Sequence, residues 1–202
     1  MGCVGEVSRA RGVTVVPRLA GAKENGAVSV SIGDLEHVLA SGADVVVGPH
    51  TQLDHALQTA TVLRAWAPDD EELLVAGLVH DIGFMLPGVS DVDHAAAGAA
   101  AVREALGVRV AALVRLHVDA KRYLVTTDVG YRATLADDSV VSLLHQGDSM
   151  SSDERAVFEG SPFAADALIL RRADESGKVQ GLVVGGLASW VPVVQRVHRR
   201  AG

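Results

Sequence analysis

A histidine and an aspartate that stand next to each other, His80 and Asp81, are the first candidates for chemistry in this chain. They end an apolar stretch, residues 70–83, whose pattern predicts a helix. Asp70 is placed to cap its first turn and Gly83 to stop it. An imidazole and a carboxylate at the end of so apolar a helix need a strong partner, and a metal ion satisfies both. For this pair alone, the alternative is a core histidine hydrogen-bonded to its neighbour.

Three further histidines and a second aspartate enlarge the candidate set, which spans five predicted helices. Its members are His55, His80, Asp81, His94, His117 and Asp174. A single zinc ion takes three or four protein ligands, so this set is too large for one ion unless some members are spectators. Two ions that share Asp81 as a bridge would use all of them. Imidazole and carboxylate ligands without thiolate suit iron or manganese and do not exclude zinc, nickel or magnesium.

The elements that must position these side chains are helices, because the strand signal is weak throughout the chain. His55 lies in the first turns of a helix that Thr51 caps, with Asp54 three residues on. His94 opens an alanine-rich helix that ends near Gly107. The other helices are expected at residues 31–40, 70–81, 109–124, 138–146, from 161 past 174, and at 187–198. The sequence therefore predicts an all-α domain.

Two cationic side chains share helix faces with candidate ligands. Lys121 follows His117 by four residues and lies on the same face. Arg171 and Asp174, three residues apart, share a face of the helix that Ser161 is expected to cap, with a proline at its first position.

A narrow polar stripe runs along the predicted helix 138–146. Ser139, Ser142 and Gln146 recur at i, i+3 and i+7, and the rest of the helix is apolar apart from His145, which we expect to be structural. Such a stripe usually faces water. The alternative is that it lines a polar pocket inside the domain.

Composition limits the class of protein. The 202 residues, 49% hydrophobic, suffice for one aliphatic core, which we assign to residues 31–202, with residues 1–30 as a poorly ordered arm and a short strand near 13–16. The net charge of −7 gives no general attraction for nucleic acid or anionic lipid. Cys3 is the only cysteine, which excludes an intrachain disulfide and a thiolate zinc site. Without a signal-length or membrane-spanning apolar run, we expect a cytoplasmic protein.

At this point the chain resembles the HD-domain superfamily, a helical bundle named for its His-Asp pair. More closely, it is similar to the mixed-valent diiron oxygenases of that superfamily that act on 1-hydroxyphosphonates, which are relatives of myo-inositol oxygenase. The resemblance covers residues 31–198. It rests on TQLDHALQ (51–58), LVHDIG (78–83), HVDAKRYL (117–124), QG (146–147) with MS (150–151), and LRR (170–172) with Asp174. The HVDAKRYL run together with the Arg-Arg-x-Asp segment is specific, because ordinary HD phosphohydrolases lack that pairing.

The resemblance implies a function and a role for each candidate. It implies two iron ions, with Asp81 as the bridge, and an enzyme that uses O₂ to split the carbon–phosphorus bond of a small hydroxyphosphonate into phosphate and a carboxylic acid. The implied iron ligands are His55, His80, Asp81, His94, His117 and Asp174. The implied substrate-binding residues are Lys121, Ser139, Gln146 and Arg171, with a further hydroxyl at Ser142. His80, Asp81 and Lys121 are the catalytic candidates.

Two rivals remain at this stage. One is a metal-dependent phosphohydrolase that attacks a small phosphate ester with metal-activated water. The other is a non-enzymatic module that binds an anion or a partner protein. The oligomeric state is left open.

The chain departs from the family pattern before the His55 helix. The enzymes that act on an aminophosphonate carry a tyrosine and a glutamate there, and this chain has Val45 and Gly48. Without that acid, we expect a hydroxyphosphonate with a small or uncharged substituent, such as hydroxymethyl- or 1-hydroxyethylphosphonate, to be preferred over the 2-amino compound.

Overall fold

A computed structural model describes residues 28–202, and helices dominate this part of the chain, as the sequence predicts. A two-stranded antiparallel hairpin, β1 (Val46–Val47) with β2 (His50–Thr51), precedes the second helix. The helices are α1 (Ile32–Ser41), α2 (Gln52–Trp66), α3 (Glu71–Val79), α4 (His94–Thr127), α5 (Asp137–His145), α6 (Ser152–Glu159), α7 (Ala164–Ser176) and α8 (Val191–Ala201). No helix in residues 28–202 has the length and apolar character needed to cross a membrane.

The predicted arm lies outside the described residues except for positions 28–30, and so does the strand expected near 13–16. Val30 is 1% exposed, and its N–H donates to the carbonyl of Ala101 at 2.9 Å. The chain is therefore already packed against α4 just before α1 begins.

Side-chain caps start the helices that carry the first candidate ligands. Thr51 Oγ1 accepts from the N–H of Asp54 at 3.0 Å, which starts α2 as predicted. The carboxylate of Asp70 accepts from the N–H of Leu73 at 3.1 Å and starts α3. These caps set where His55 and His80 lie along their helices.

The long helix α4 consists of two arms, residues 94–106 and 108–127, that meet at Gly107. Gly107 has φ 86° and ψ 177°, a left-handed φ that favours glycine, so the chain changes direction there. A Cβ at this position would also lie 3.1 Å from Cβ of Ala201. The two helices predicted on either side of Gly107 are confirmed.

Two local predictions need correction. The helix α7 begins at Ala164, because the Ser161 hydroxyl accepts from the N–H of Phe163 at 3.3 Å and holds a turn instead of capping the helix. The sequence analysis also missed α6, which starts with a reciprocal capping box between Ser151 and Glu154.

Helices α2, α3, α4 and α7 enclose an aliphatic core, as the composition predicts. Leu63, Leu78 and Leu113 are among its fully buried side chains. At the edge of this core, Arg109 of α4 binds the Asp70 carboxylate through two hydrogen bonds of 2.6 Å and Asp166 of α7 at 2.9 Å. These hydrogen bonds join the start of α3 to α4 and α7 and fix the relative position of the three helices.

Candidate metal centre and substrate pocket

Three of the predicted ligands meet in a first cluster, which we call cluster A: His55, His80 and Asp174. His55 from α2 and His80 at the end of α3 bring their Nε2 atoms within 3.2 Å of each other. Oδ1 of Asp174, from α7, lies 3.2 Å from Nε2 of His55. All three side chains are almost completely buried.

The other three predicted ligands form cluster B: His94, His117 and Asp81. His94 and His117 stand on the two arms of α4, and their Nε2 atoms are 3.1 Å apart. A straight helix would separate two residues 23 positions apart by about 34 Å, so the arms must run antiparallel. The turn at Gly107 thus brings two of the three members of cluster B together.

Asp81 lies between the two clusters with one oxygen toward each. Oδ2 is 3.5 Å from Nε2 of His80, and Oδ1 is 3.4 Å from the Nε2 atoms of both His94 and His117. The ring centroids of His80 and His117 are 5.1 Å apart, so the clusters are neighbours. This arrangement is the one that the predicted bridge requires.

Every histidine of the two clusters uses its Nδ1 atom to contact a backbone carbonyl. The carbonyls belong to Gly177 for His55 (3.1 Å), Gly77 for His80 (2.8 Å), Val114 for His117 (2.7 Å) and Asp91 for His94. A carbonyl only accepts, so each Nδ1 carries a proton, and in the neutral form of each ring the lone pair of Nε2 faces inward. In that form, the Nε2 atoms of His55 and His80, 3.2 Å apart, point their lone pairs at each other, and so do those of His94 and His117, 3.1 Å apart. The two atoms of each pair repel each other unless a cation lies between them. The donor set therefore fits metal ions.

The ionisation of these groups supports the same conclusion. Burial lowers the pKa of His80 to about 4, so its imidazole is neutral at pH 7. Burial also acts to lower the pKa of His55, but the hydrogen bond and charge of Asp174 outweigh it and raise that pKa. For Asp81, burial acts upward, yet the surrounding histidines hold its pKa well below the usual range. The centre thus combines ionised carboxylates with rings that attract a positive charge.

A small cavity of about 60 Å³ lies beside the two clusters. Lys121, on the second arm of α4, lines it and is only 4% exposed. Its ammonium group donates to Ser142 Oγ at 2.7 Å, and no carboxylate of the described residues lies within salt-bridge distance of it. Burial, followed by the charge of Arg171, lowers the pKa of Lys121 to about 7. A bound anion would stabilise the charged form.

Arg171 lies on the cavity wall at the centre of a buried network. Its guanidinium forms ion pairs with Asp174 and Glu175, and its Nε donates to the hydroxyl of Tyr131 at 2.8 Å. A further contact of 3.3 Å joins Nη2 to Ser139 Oγ. Arg171 thus links a cluster A carboxylate to the polar wall of the cavity.

The polar stripe of α5 faces the cavity, which decides between the two interpretations of the sequence. Ser139 is 1% exposed, and Ser142 and Gln146 line the cavity with it. The buried Oε1 atom of Gln146 has no hydrogen-bond partner within residues 28–202 and is available to a ligand. The apolar residues Val141 and Leu144 instead face solvent and are 55% and 58% exposed.

The structure adds cavity residues that the sequence analysis missed, above all Lys178, Asp138 and His50. Glu175, which pairs with Arg171, follows it by four residues on α7, so helical spacing could have found Glu175. Lys178 lies past the end of α7, where helical spacing gives no signal. Val45 and Gly48, where the family pattern has a tyrosine and a glutamate, are not among the cavity-lining residues.

Comparison with known protein families identifies the family of this chain. The HD-domain family model matches residues 53–175, which contain every predicted ligand. The chain belongs to the HD-domain family. The helical HD-domain fold is the one that the sequence predicts.

Curated relatives refine the comparison. A [1-hydroxy-2-(trimethylamino)ethyl]phosphonate dioxygenase (glycine-betaine-forming) from Leisingera caerulea is 34% identical over 157 residues, 74% of this chain and 80% of the relative. A hydroxymethylphosphonate dioxygenase from Gimesia maris is 36% identical over 149 residues, 69% and 74% of the two chains. An uncharacterized protein of Acanthamoeba polyphaga mimivirus is 28% identical over 148 residues, 68% of this chain and 67% of the relative.

Proposed function

We propose that this protein is an iron-dependent dioxygenase that cleaves the carbon–phosphorus bond of a small 1-hydroxyphosphonate. The observation that carries the proposal is the convergence of four imidazole Nε2 atoms on either side of Asp81, next to a cavity lined by Lys121 and Arg171. Two relatives named as phosphonate dioxygenases support the reaction class.

The proposed metal centre holds two iron ions. His55, His80 and Asp174 would bind one ion, His94 and His117 would bind the other, and Asp81 would bridge them. When bound, the iron pair supplies the redox chemistry that couples O₂ to oxidation of the substrate carbon. The backbone carbonyls behind the rings fix the tautomers, so that the protein presents a preformed ligand set.

The cavity residues would hold the phosphonate. Within residues 28–202 Lys121 has one hydrogen-bond partner, the Ser142 hydroxyl, so its remaining donors can bind phosphonate oxygens, and the Nε2 amide group of Gln146 can donate to them as well. Arg171 supplies a second positive charge, although two carboxylates share it. Binding would place C1 of the substrate beside the clusters, and this fixed placement is the protein's contribution to the rate.

The overall reaction balances for hydroxymethylphosphonate. One O₂ and one substrate molecule give one formate and one phosphate, so that the carbon and the phosphorus each gain one oxygen atom. A phosphohydrolase would use the same ligands and the same cations, but it would consume water and no O₂. Dependence on O₂ therefore separates the two functions.

The surroundings of Gly48 favour a substrate without an ammonium group. A Cβ at Gly48 would lie 3.3 Å from Cγ of Asp138, so Asp138 is the carboxylate nearest to the position of the missing glutamate. Asp138 already forms a 2.7 Å ion pair with Lys178, which neutralises it. Hydroxymethylphosphonate or 1-hydroxyethylphosphonate are the substrates we propose.

The decisive experiment incubates iron-loaded protein with a panel of hydroxyphosphonates, with and without O₂, and measures phosphate. We expect phosphate release only with O₂, close to two irons per chain, and a mixed-valent signal in electron paramagnetic resonance after partial reduction. Full activity of an iron-free, zinc-loaded sample on a phosphate ester, independent of O₂, would refute the proposal in favour of the hydrolase.

A further inference from the structure

Lys178 is a mostly buried cation of the cavity wall that the sequence motifs do not include. It follows the end of α7, and its side chain is 11% exposed. Its ammonium group donates to Oδ2 of Asp138 at 2.7 Å and to Oγ of Ser139 at 2.8 Å. These partners take two of its three N–H donors, and within residues 28–202 no hydrogen-bond partner takes the third.

The backbone on both sides of Lys178 is held against α2. The carbonyl of Gly177 contacts Nδ1 of His55, and a Cβ at Gly177 would lie 2.5 Å from Thr59 Oγ1. On the other side, the buried amide of Gln58 bonds both the N–H and the carbonyl of Val179 at 3.0 Å. Lys178 is therefore fixed by the same segment that orients a predicted metal ligand.

Two cations converge on the hydroxyl of Ser139. Lys178 Nζ lies 2.8 Å and Arg171 Nη2 lies 3.3 Å from Ser139 Oγ, which is also 3.0 Å from Oε2 of Glu175. A hydroxyl has one proton and two lone pairs, so donating to Glu175 and accepting from both cations saturates it. An anion in the cavity next to Ser139 would meet both positive charges. Lys178 has one N–H donor left for it, and Arg171, whose contacts use four of its five N–H donors, also has one left.

We propose, on the basis of the function proposed above, that Lys178 is a substrate-binding residue that donates a hydrogen bond to the phosphonate group. Asp138 is then its counter-ion in the substrate-free protein. When the phosphonate binds, Lys178 is shared between two anions, and Asp138 competes with the substrate for its charge.

A purely structural role makes a different prediction. If the Lys178–Asp138 pair only fastened α5 to the segment after α7, removing either partner would break the same contact. Stability and affinity would then change in the same direction for both variants. A binding role predicts opposite effects on affinity, because removing Asp138 frees Lys178 for the substrate.

The test compares Lys178→Met, Lys178→Arg and Asp138→Asn in the iron-loaded, full-length protein. Titration calorimetry without O₂ measures the Kd of hydroxymethylphosphonate and of inorganic phosphate, with iron content and Tm recorded for each variant. We expect Lys178→Met to bind both about tenfold more weakly at unchanged iron content, Lys178→Arg to recover most of that loss, and Asp138→Asn to bind at least as tightly as wild type.

Equal weakening by Lys178→Met and Asp138→Asn would overturn the inference, and so would unchanged affinity in Lys178→Met. If Lys178→Met did not fold, weaker binding by Asp138→Asn would still overturn it and tighter binding would support it. The proposed function is judged separately, by O₂-dependent phosphate release from the wild-type protein. A wild type that bound phosphonate without turning it over would refute the function and leave the comparison of affinities valid.

Discussion

Replacement of Lys121 by methionine should make the protein more stable and its substrate binding weaker. The lysine is 4% exposed, and burial, together with the charge of Arg171, lowers its pKa from 10.5 to about 7. The fold therefore disfavours the charged form of this side chain. Methionine has a similar length and no charge, so it can fill the same space without that cost.

The magnitude and its pH dependence follow from the lowered pKa. At about 1.4 kcal/mol per pKa unit the full cost is roughly 3–5 kcal/mol, and loss of the Ser142 hydrogen bond offsets about 1 kcal/mol. Between pH 7 and 10.5 the unfolded chain binds more protons at this site than the folded chain, so wild-type stability rises with pH there. The advantage of Lys121→Met is thus complete below pH 7 and disappears toward pH 10.5.

Denaturant unfolding at about pH 6, 8 and 10 measures this difference between wild type and variant at matched iron content. Arg115→Met is the matched control, because Arg115 lies on the same helix with its side chain 56% exposed, and its effect should not vary over this pH range. A Lys121→Met difference that stayed constant with pH would show that no buried, charge-disfavoured lysine is present, and the reasoning would fail.

Four further predictions concern the metal centre, the cavity and the fold. Asp81→Ala removes the bridge and should abolish the mixed-valent signal, whereas a merely weaker signal would argue against the bridge. Arg171→Ala should lower kcat/KM by about one to two decades, since a charged hydrogen bond contributes roughly 1.5–3 kcal/mol; thermal unfolding should also show a loss of stability, because two buried carboxylates lose their partner. Gly83→Ala would place a Cβ 2.1 Å from the backbone oxygen of His94, so we expect a loss of about 2–4 kcal/mol in denaturant unfolding. In direct competition, hydroxymethylphosphonate should show a higher kcat/KM than 2-amino-1-hydroxyethylphosphonate; the opposite order would mean that groups not identified here recognise the amine.

The sequence carried most of the local information about this fold. Thr51 and Asp70 cap the helices they were expected to cap, and the structure brings the six predicted ligands together. The spacing of residues along one helix does not show which face the neighbouring helices cover. It therefore could not decide whether the stripe of Ser139, Ser142 and Gln146 faces water or a pocket, which depends on how α4 and α7 pack.

What escaped prediction depended on contacts between distant segments or on local competition. Lys178 lies in the cavity because Gln58, 120 positions earlier, holds the following residue. Ser161 fits the pattern of a cap, but its hydroxyl bonds the nearer N–H of Phe163 and delays the helix. The contact that decides the position of Lys178 comes from a distant helix, and the one that decides the role of Ser161 comes from an N–H two residues on. The spacing of residue types in the sequence shows neither contact.

Because α4 turns at Gly107, the position of each histidine of cluster B depends on the direction of the helical arm that carries it. His94 and His117 lie about 20 Å and 15 Å along their arms from that turn. At such lengths an angular error of about 2° displaces a ring by about 0.5 Å, which is the tolerance of a preorganised site. One residue inserted beside Gly107 would turn an arm by about 100° and carry its histidine off the clusters. Substitutions at this remote bend should therefore change metal occupancy without touching a ligand.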